Sequence, residues 1–219
     1  ERISLHRGRW HDTDLARPEL DAAQIWSGTP NAGFHRAYAA WIRQLLRGRH
    51  IAAVAGSDSH GSFGRFRQVR IPWIQLVDNR NHLFASVRTV VQARERTHRA
   101  VLDAITSGRS YLTDGPEITF TVTDGQRDYG LGEVVNGSPN GATVIARSIP
   151  EFGSIRDIRL AIGFYGAQEE EWLPCEVMSR LYSAHWEVPL GMKKPGHIRA
   201  EVRTTTNRFA FTNPIRVTG

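Results

Sequence analysis

The sequence predicts an α/β unit followed by an antiparallel β-sandwich-like region. Three observations carry that expectation. A short run of small apolar residues, "IAAVAG" at 51–56, has the composition of a strand covered on both faces. The segment before it, "PNAGFHRAYAAWIRQLLRGR", repeats its apolar residues at three- and four-residue intervals. After Pro116 the apolar period drops to two, and glycine-rich turns separate the runs.

In chain order, "DAAQIWSG" (21–28) reads as a short strand ending at glycine. The helix that follows places Phe34, Tyr38, Trp41, Ile42, Leu45 and Leu46 on one broad stripe, and Gly48 supplies its stop. Residues 51–56 complete a strand, crossover helix, strand unit. "SVRTVVQA" (86–93) reads as another strand, and "THRAVLDAITSGR" as a helix with Thr97 as N-cap and Gly108 as terminator. Beyond the turn-rich Tyr111–Pro116 boundary, five sets alternate. They are Ile118, Phe120 and Val122; Val144 and Ala146; Ile158, Leu160, Ile162 and Phe164; Ile198, Ala200 and Val202; and Ile215 and Val217. The expected division is therefore 1–116 and 117–219, with Val144, Ile158, Leu160 or Ile162 on a buried face.

Composition excludes little. No apolar run reaches the eighteen or so residues of a membrane span, and the first residues lack the apolar middle of a secretory signal. Cys175, the single cysteine, permits no internal disulfide, and the compartment, cytoplasmic or exported, stays open. The net charge of +6 lies wholly in the first half, where 17 Arg face 10 acids, against 11 Lys plus Arg and 12 acids in the second. Such an excess concentrates a small anionic substrate such as a phosphoester. The short basic stretches "RQVRIPW" and "ARERTHR" match no nucleic-acid-binding module, which argues against that partner.

The chemistry-bearing stretch is "AAVAGSDSHG" (52–61), where an apolar strand runs directly into Asp58 and His60. Strand alternation carried through residue 60 places both on one side and Ser57 and Ser59 on the other. A carboxylate and a neutral imidazole at the carboxyl end of a parallel strand suit Zn²⁺, Mn²⁺ or Fe. The same pair could instead hold a turn, Asp58 accepting backbone N–H groups and His60 donating to Asp58 or a carbonyl. A serine nucleophile activated by His60 fits poorly, because this is no strand-to-helix elbow.

"AAVAGSDSHG" resembles the last metal-binding motif of the PHP superfamily, the polymerase and histidinol phosphatase metal-dependent hydrolases. "DAAQIWSG", "SVRTVVQARERTHRAVLDAITSGRSYLTDGP" and "IRAEVRTTTNRFAFTNPIRV" are similar to segments of its carbaryl-hydrolase-like branch, so the resemblance covers 21–219. It implies the C-terminal portion of a distorted (β/α)7 barrel followed by a β-rich appendage. It also implies a divalent-metal-dependent hydrolase, most simply a phosphoesterase, that uses a metal-activated hydroxide with two or three ions (Zn, Mn or Fe). Asp58 and His60 match the closing ligands of that motif, and they are the expected metal and catalytic residues. The family's opening His-x-His pair and middle ligands have no match here. They would come from a missing N-terminal barrel segment, in cis or as an associated chain.

Arg65 and Arg67 follow the glycine turn and could reach a bound anion, and Arg109 lies in the terminal "GRSYLTDGP" element. Ordinary loop solvation is the better-favoured reading of the first two, and fold closure explains Arg109 with Asp114 and Gly115. His6 and His11 are weaker ligand candidates. His35, His50, His82, His98, His185 and His197 have no partner spacing that recommends them. Trp26, Trp41 and Trp73 read as packing residues. The alternative to an enzyme is a carbohydrate- or protein-interaction module on the β-rich half, which would need no metal.

Overall fold

The computed structural model describes residues 12–57, 59, 68–71, 74–77, 84–176 and 181–219. Strand β1 (Ala22–Ser27) and strand β2 (Ala52–Gly56) pair in parallel, with helix α2 (Ala32–Leu46) crossing between them. Asn31 starts α2 by accepting the N–H groups of Gly33 at 2.7 Å and Phe34 at 3.2 Å. The helix stops where Gly48 adopts φ +77°. A short helix, α1 (Asp12–Leu15), packs beside α2.

The rest of the described chain is mostly β. One four-stranded sheet has the order β13 (Ser183–Pro189), β10 (Gly141–Arg147), β7 (Glu117–Thr123), β8 (Asp128–Tyr129). The eight-stranded sheet runs β12 (Glu171–Glu176), β11 (Ile155–Phe164), β14 (Gly196–Thr204), β15 (Phe209–Thr212), β6 (Ser110–Thr113), β5 (Arg88–Val91). Off that path, β16 (Ile215–Thr218) pairs with β14 and with β9 (Val134–Asn136). A separate hairpin joins β3 (Gln68–Ile71) to β4 (Ile74–Val77). Between the two larger sheets lie Ile118, Phe120, Val122, Val144, Ala146, Ile158, Leu160, Ile198, Ala200 and Val202, all buried. The rows of two-residue period therefore do face a common core.

Helix α2 and the β1–β2 pair form a third layer on the outer face of the eight-stranded sheet. Trp26, Phe34 and Trp41 are buried there against Phe209 and Phe211 of β15. Trp26 stacks on Phe211 with centroids 5.8 Å apart, and Tyr38 meets Phe211 edge-on at 5.3 Å. The sheet is consequently covered on both sides, and eight of the nine residues of β14 are buried.

This architecture overturns the expected (β/α)7-type arrangement. Among the described residues, parallel pairing of the α/β kind is confined to β1 and β2. The "SVRTVVQA" segment supplies β5, which pairs antiparallel with β6 and joins the large sheet. Helix α3 (His98–Thr106) returns the chain beside β5 in the opposite sense, so it links neighbouring antiparallel strands and makes no parallel crossover. That sheet takes β5 and β6 from before Pro116 and its other strands from after it.

Candidate site at the end of strand β2

Strand β2 is held along both edges. Toward β1, Ala52 N–H donates to Asp21 O at 2.9 Å, and Gly28 N–H donates to Gly56 O at 2.9 Å. The opposite edge presents the N–H and C=O groups of Ala53 and Ala55, and side chains pair with them in place of a third strand. The Asn213 amide accepts from Ala53 N at 2.7 Å and donates to Ala53 O at 3.1 Å. It also donates to Ser110 Oγ at 2.9 Å, while Ser110 and Asn213 are both fully buried. One step along, Thr89 Oγ1 accepts from Ala55 N at 2.8 Å and donates to Ala55 O at 3.0 Å. The strand thus reaches Gly56 as a fixed rod.

Asp58 and His60, the sequence-identified ligands, lie outside the described residues, as do Arg65, Arg67, His6 and His11. Among the described residues no group of three or more His, Cys, Asp or Glu side chains is placed to hold a metal ion.

The terminal "GRSYLTDGP" element is described throughout. Asp114 Oδ1 accepts from Phe209 N at 2.6 Å, and Asp114 N–H donates to Phe209 O at 3.1 Å, so the residue extends the β6–β15 pairing. Burial pushes its carboxyl above the ordinary range, against the lowering effects of the Phe209 N–H and Arg208. Thr113 Oγ1 accepts from Gly115 N at 2.9 Å and donates to Pro116 O at 2.6 Å, closing the turn. Asp114 and Gly115 therefore close the fold. Arg109 instead points into a groove along α3 and is half-buried, its Nε shielded without a hydrogen-bond partner.

The charged cluster that sequence reasoning missed lies where α2 covers β14. Arg199 and Glu201 have fully buried side chains, joined at 2.5 Å through Arg199 Nη1. Arg199 also pairs with Glu170, whose Oε1 lies 2.8 Å from His197 Nε2. Glu201 further engages Arg159 at 2.5 Å and the Tyr38 hydroxyl. Burial alone would raise both carboxyl groups. The adjacent Arg199 reverses the effect, holding Glu170 at about 2 and Glu201 below the ordinary range. Tyr38 is pushed well up, chiefly by burial. Two acids face two arginines, and Trp172 lies under both guanidinium groups, 3.9 Å from Arg159 and 5.1 Å from Arg199. With Glu170, His197, Arg199 and Glu201 closed to solvent, this network binds a helix to a sheet and offers no surface to a substrate.

No protein-family profile matches the chain, and no curated protein matches it. Among solved structures it is similar to the soluble domain of PmoD from Methylocystis sp. (Rockwell), with a TM-score of 0.30 and 15% identity, over 47% of this chain and 90% of that one. A likeness of that size carries no argument about fold or function. No helix among the described residues is long and apolar enough to cross a membrane.

Proposed function

We propose that this chain contributes the Asp58 carboxylate and the His60 imidazole to a divalent-metal-dependent hydrolase acting on small phosphoesters. The observation that carries the reading is the clamped parallel strand β2, which stops at Gly56 just before "SDSHG". In open α/β pairs, ligands gather beyond the carboxyl ends of parallel strands. A strand pinned by Asn213 and Thr89 suits residues that must hold a charged group with little freedom. Resemblance of "AAVAGSDSHG" to the PHP metal motif supports the same assignment.

A carboxylate oxygen and an imidazole nitrogen are donors that Zn²⁺, Mn²⁺ and Fe accept, so the residues fit the group. Bound divalent ions supply a water of lowered pKa and positive charge for the leaving oxygen. Asp58 offsets part of the ion charge, and His60 adds a neutral donor whose second ring nitrogen can be fixed by a hydrogen bond. Two ligands do not complete such a site. The reading requires further donors besides Asp58 and His60. The arginine excess of the first half draws the anionic substrate in, and Arg65 and Arg67 have the chemistry to meet phosphate oxygens.

The test uses Asp58→Ala and His60→Ala in the full-length protein, with metal content and aryl-phosphate hydrolysis measured side by side. Each variant is expected to lose metal and most turnover while its circular dichroism and melting temperature stay near wild type. Full metal and full activity in both would refute the assignment.

A further inference from the structure

We propose that the arginine-lined groove along α3 is a binding site for a small, multiply charged phosphorylated anion, separate from the end of β2. The groove is open to solvent, has a volume of about 560 Å³ and is lined by Arg94, Glu95, Arg99, Asp103, Thr106 and Arg109. A neighbouring hollow of about 530 Å³ shares Arg94 and Glu95 and adds Arg96 and His98 at the helix start. Both volumes fall within the roughly 300–1,000 Å³ of small-molecule sites.

The location follows from the strand order. In β5, Thr89 lies beside Ala55, and the last residue, Val91, pairs with Ser110, which reaches Ala53 through Asn213. The chain therefore travels from the end of β2 back toward its start, where His50 Nε2 lies 3.0 Å from Thr106 O of α3. The groove flanks the start of β2.

Its arginines are unspent. Arg127, Arg156, Arg159, Arg199 and Arg208 are all in ion pairs. The side chains of Arg94, Arg96, Arg99 and Arg109 make no hydrogen bond or ion pair with any described residue. Gly132, at φ +77°, packs close against the turn leading to Arg109, since a Cβ there would lie 2.3 Å from Ser107 O and 2.9 Å from Arg109 Cγ. Two carboxylates share the groove. They are Glu95, which accepts the Thr97 hydroxyl at 3.0 Å, and Asp103. Three guanidinium groups line the groove against Glu95 and Asp103, and Arg96 adds a fourth from the adjoining hollow, an excess that favours an anion. Guanidinium forks match phosphate oxygens geometrically.

Inorganic pyrophosphate titrated into the full chain, followed by calorimetry and amide chemical shifts, tests the site. Saturable binding is expected, with shifts concentrated in residues 93–109. Arg94 and Arg99 are exposed, so Arg94→Gln/Arg99→Gln should leave the melting temperature unchanged while weakening binding about tenfold or more. Asp103→Asn should tighten it. Absence of saturable binding, or unchanged affinity in the double variant, overturns the proposal. A single-stranded oligonucleotide that binds the same residues and is not displaced by pyrophosphate overturns it as well, in favour of nucleic acid. None of these readouts depends on Asp58, His60 or a metal.

Discussion

Replacing Asn213 by leucine removes a side-chain amide that stands in for a neighbouring strand while preserving most of its volume. Ala53 N–H and C=O then lose their partners at a position where Ala53 and Asn213 are both 0% exposed. Each orphaned buried group costs about 1–3 kcal/mol, so the two together cost roughly 2–6, centred on about 4 kcal/mol. In a chain of this size each kcal/mol lowers the melting temperature by about 2–4 °C, so a fall of roughly 8–16 °C is expected. Thr89→Val makes the equivalent change beside Ala55. Ala55 is only half-buried, so water replaces part of what is lost and the cost is smaller, about 1–2 kcal/mol. Urea denaturation gives the two stabilities, and amide hydrogen exchange should show Ala53 deprotected in the first variant and Ala55 in the second. An Asn213→Leu protein within about 0.5 kcal/mol of wild type, its Ala53 amide still protected, would refute the clamp.

Glu170 titrates at about 2 in the folded chain, and Glu201 is likewise depressed, so their contribution to stability is complete above the ordinary carboxylate pKa and is lost as pH falls from about 4.5 toward 2. The urea midpoint should therefore fall more steeply between pH 5 and pH 3 in wild type than in Glu170→Gln; parallel curves would refute the pairing. Gly163→Ala drives a methyl group into the His197 ring and should cost about 1–3 kcal/mol. His197→Ala in the same chain should recover part of that loss, and strictly additive effects in the double-mutant cycle would show that the two residues are not in contact.

Local signals were legible where one element decided them. Thr97 caps α3 by accepting from Ala100 N at 3.2 Å, and the stripe from Phe34 to Leu46 faces a core. The alternating rows beyond Pro116 face the interior for the same reason: a strand with one covered face must sort its residues by twos. Longer-range facts left weaker traces. His197, Arg199, Glu201 and Arg203 alternate with apolar residues along β14, a pattern that ordinarily marks a solvated face. Only tertiary packing buries the first three, and a hint lay in the Tyr38 hydroxyl on the apolar stripe of α2, which reaches Glu201. Four residues of β5 could not distinguish parallel from antiparallel pairing, because strand period is blind to partner direction. Thr89 and Asn213 act through side-chain geometry 34 and 160 residues from their targets, which no local pattern records. Asp58 and His60 stood out because an acid and an imidazole directly follow an apolar strand. The rest of a metal site needs residues that converge from elsewhere.

The side-chain clamp also gives the β1–β2 sheet a direction of growth. With Asn213 and Thr89 occupying the ladder positions of Ala53 and Ala55, no further strand can add at that margin without first expelling them. Among the described strands β1 pairs only with β2. A polypeptide that lengthened this sheet would therefore have to enter beside β1, so among the described residues the sheet is sealed on one flank and can grow only from the other.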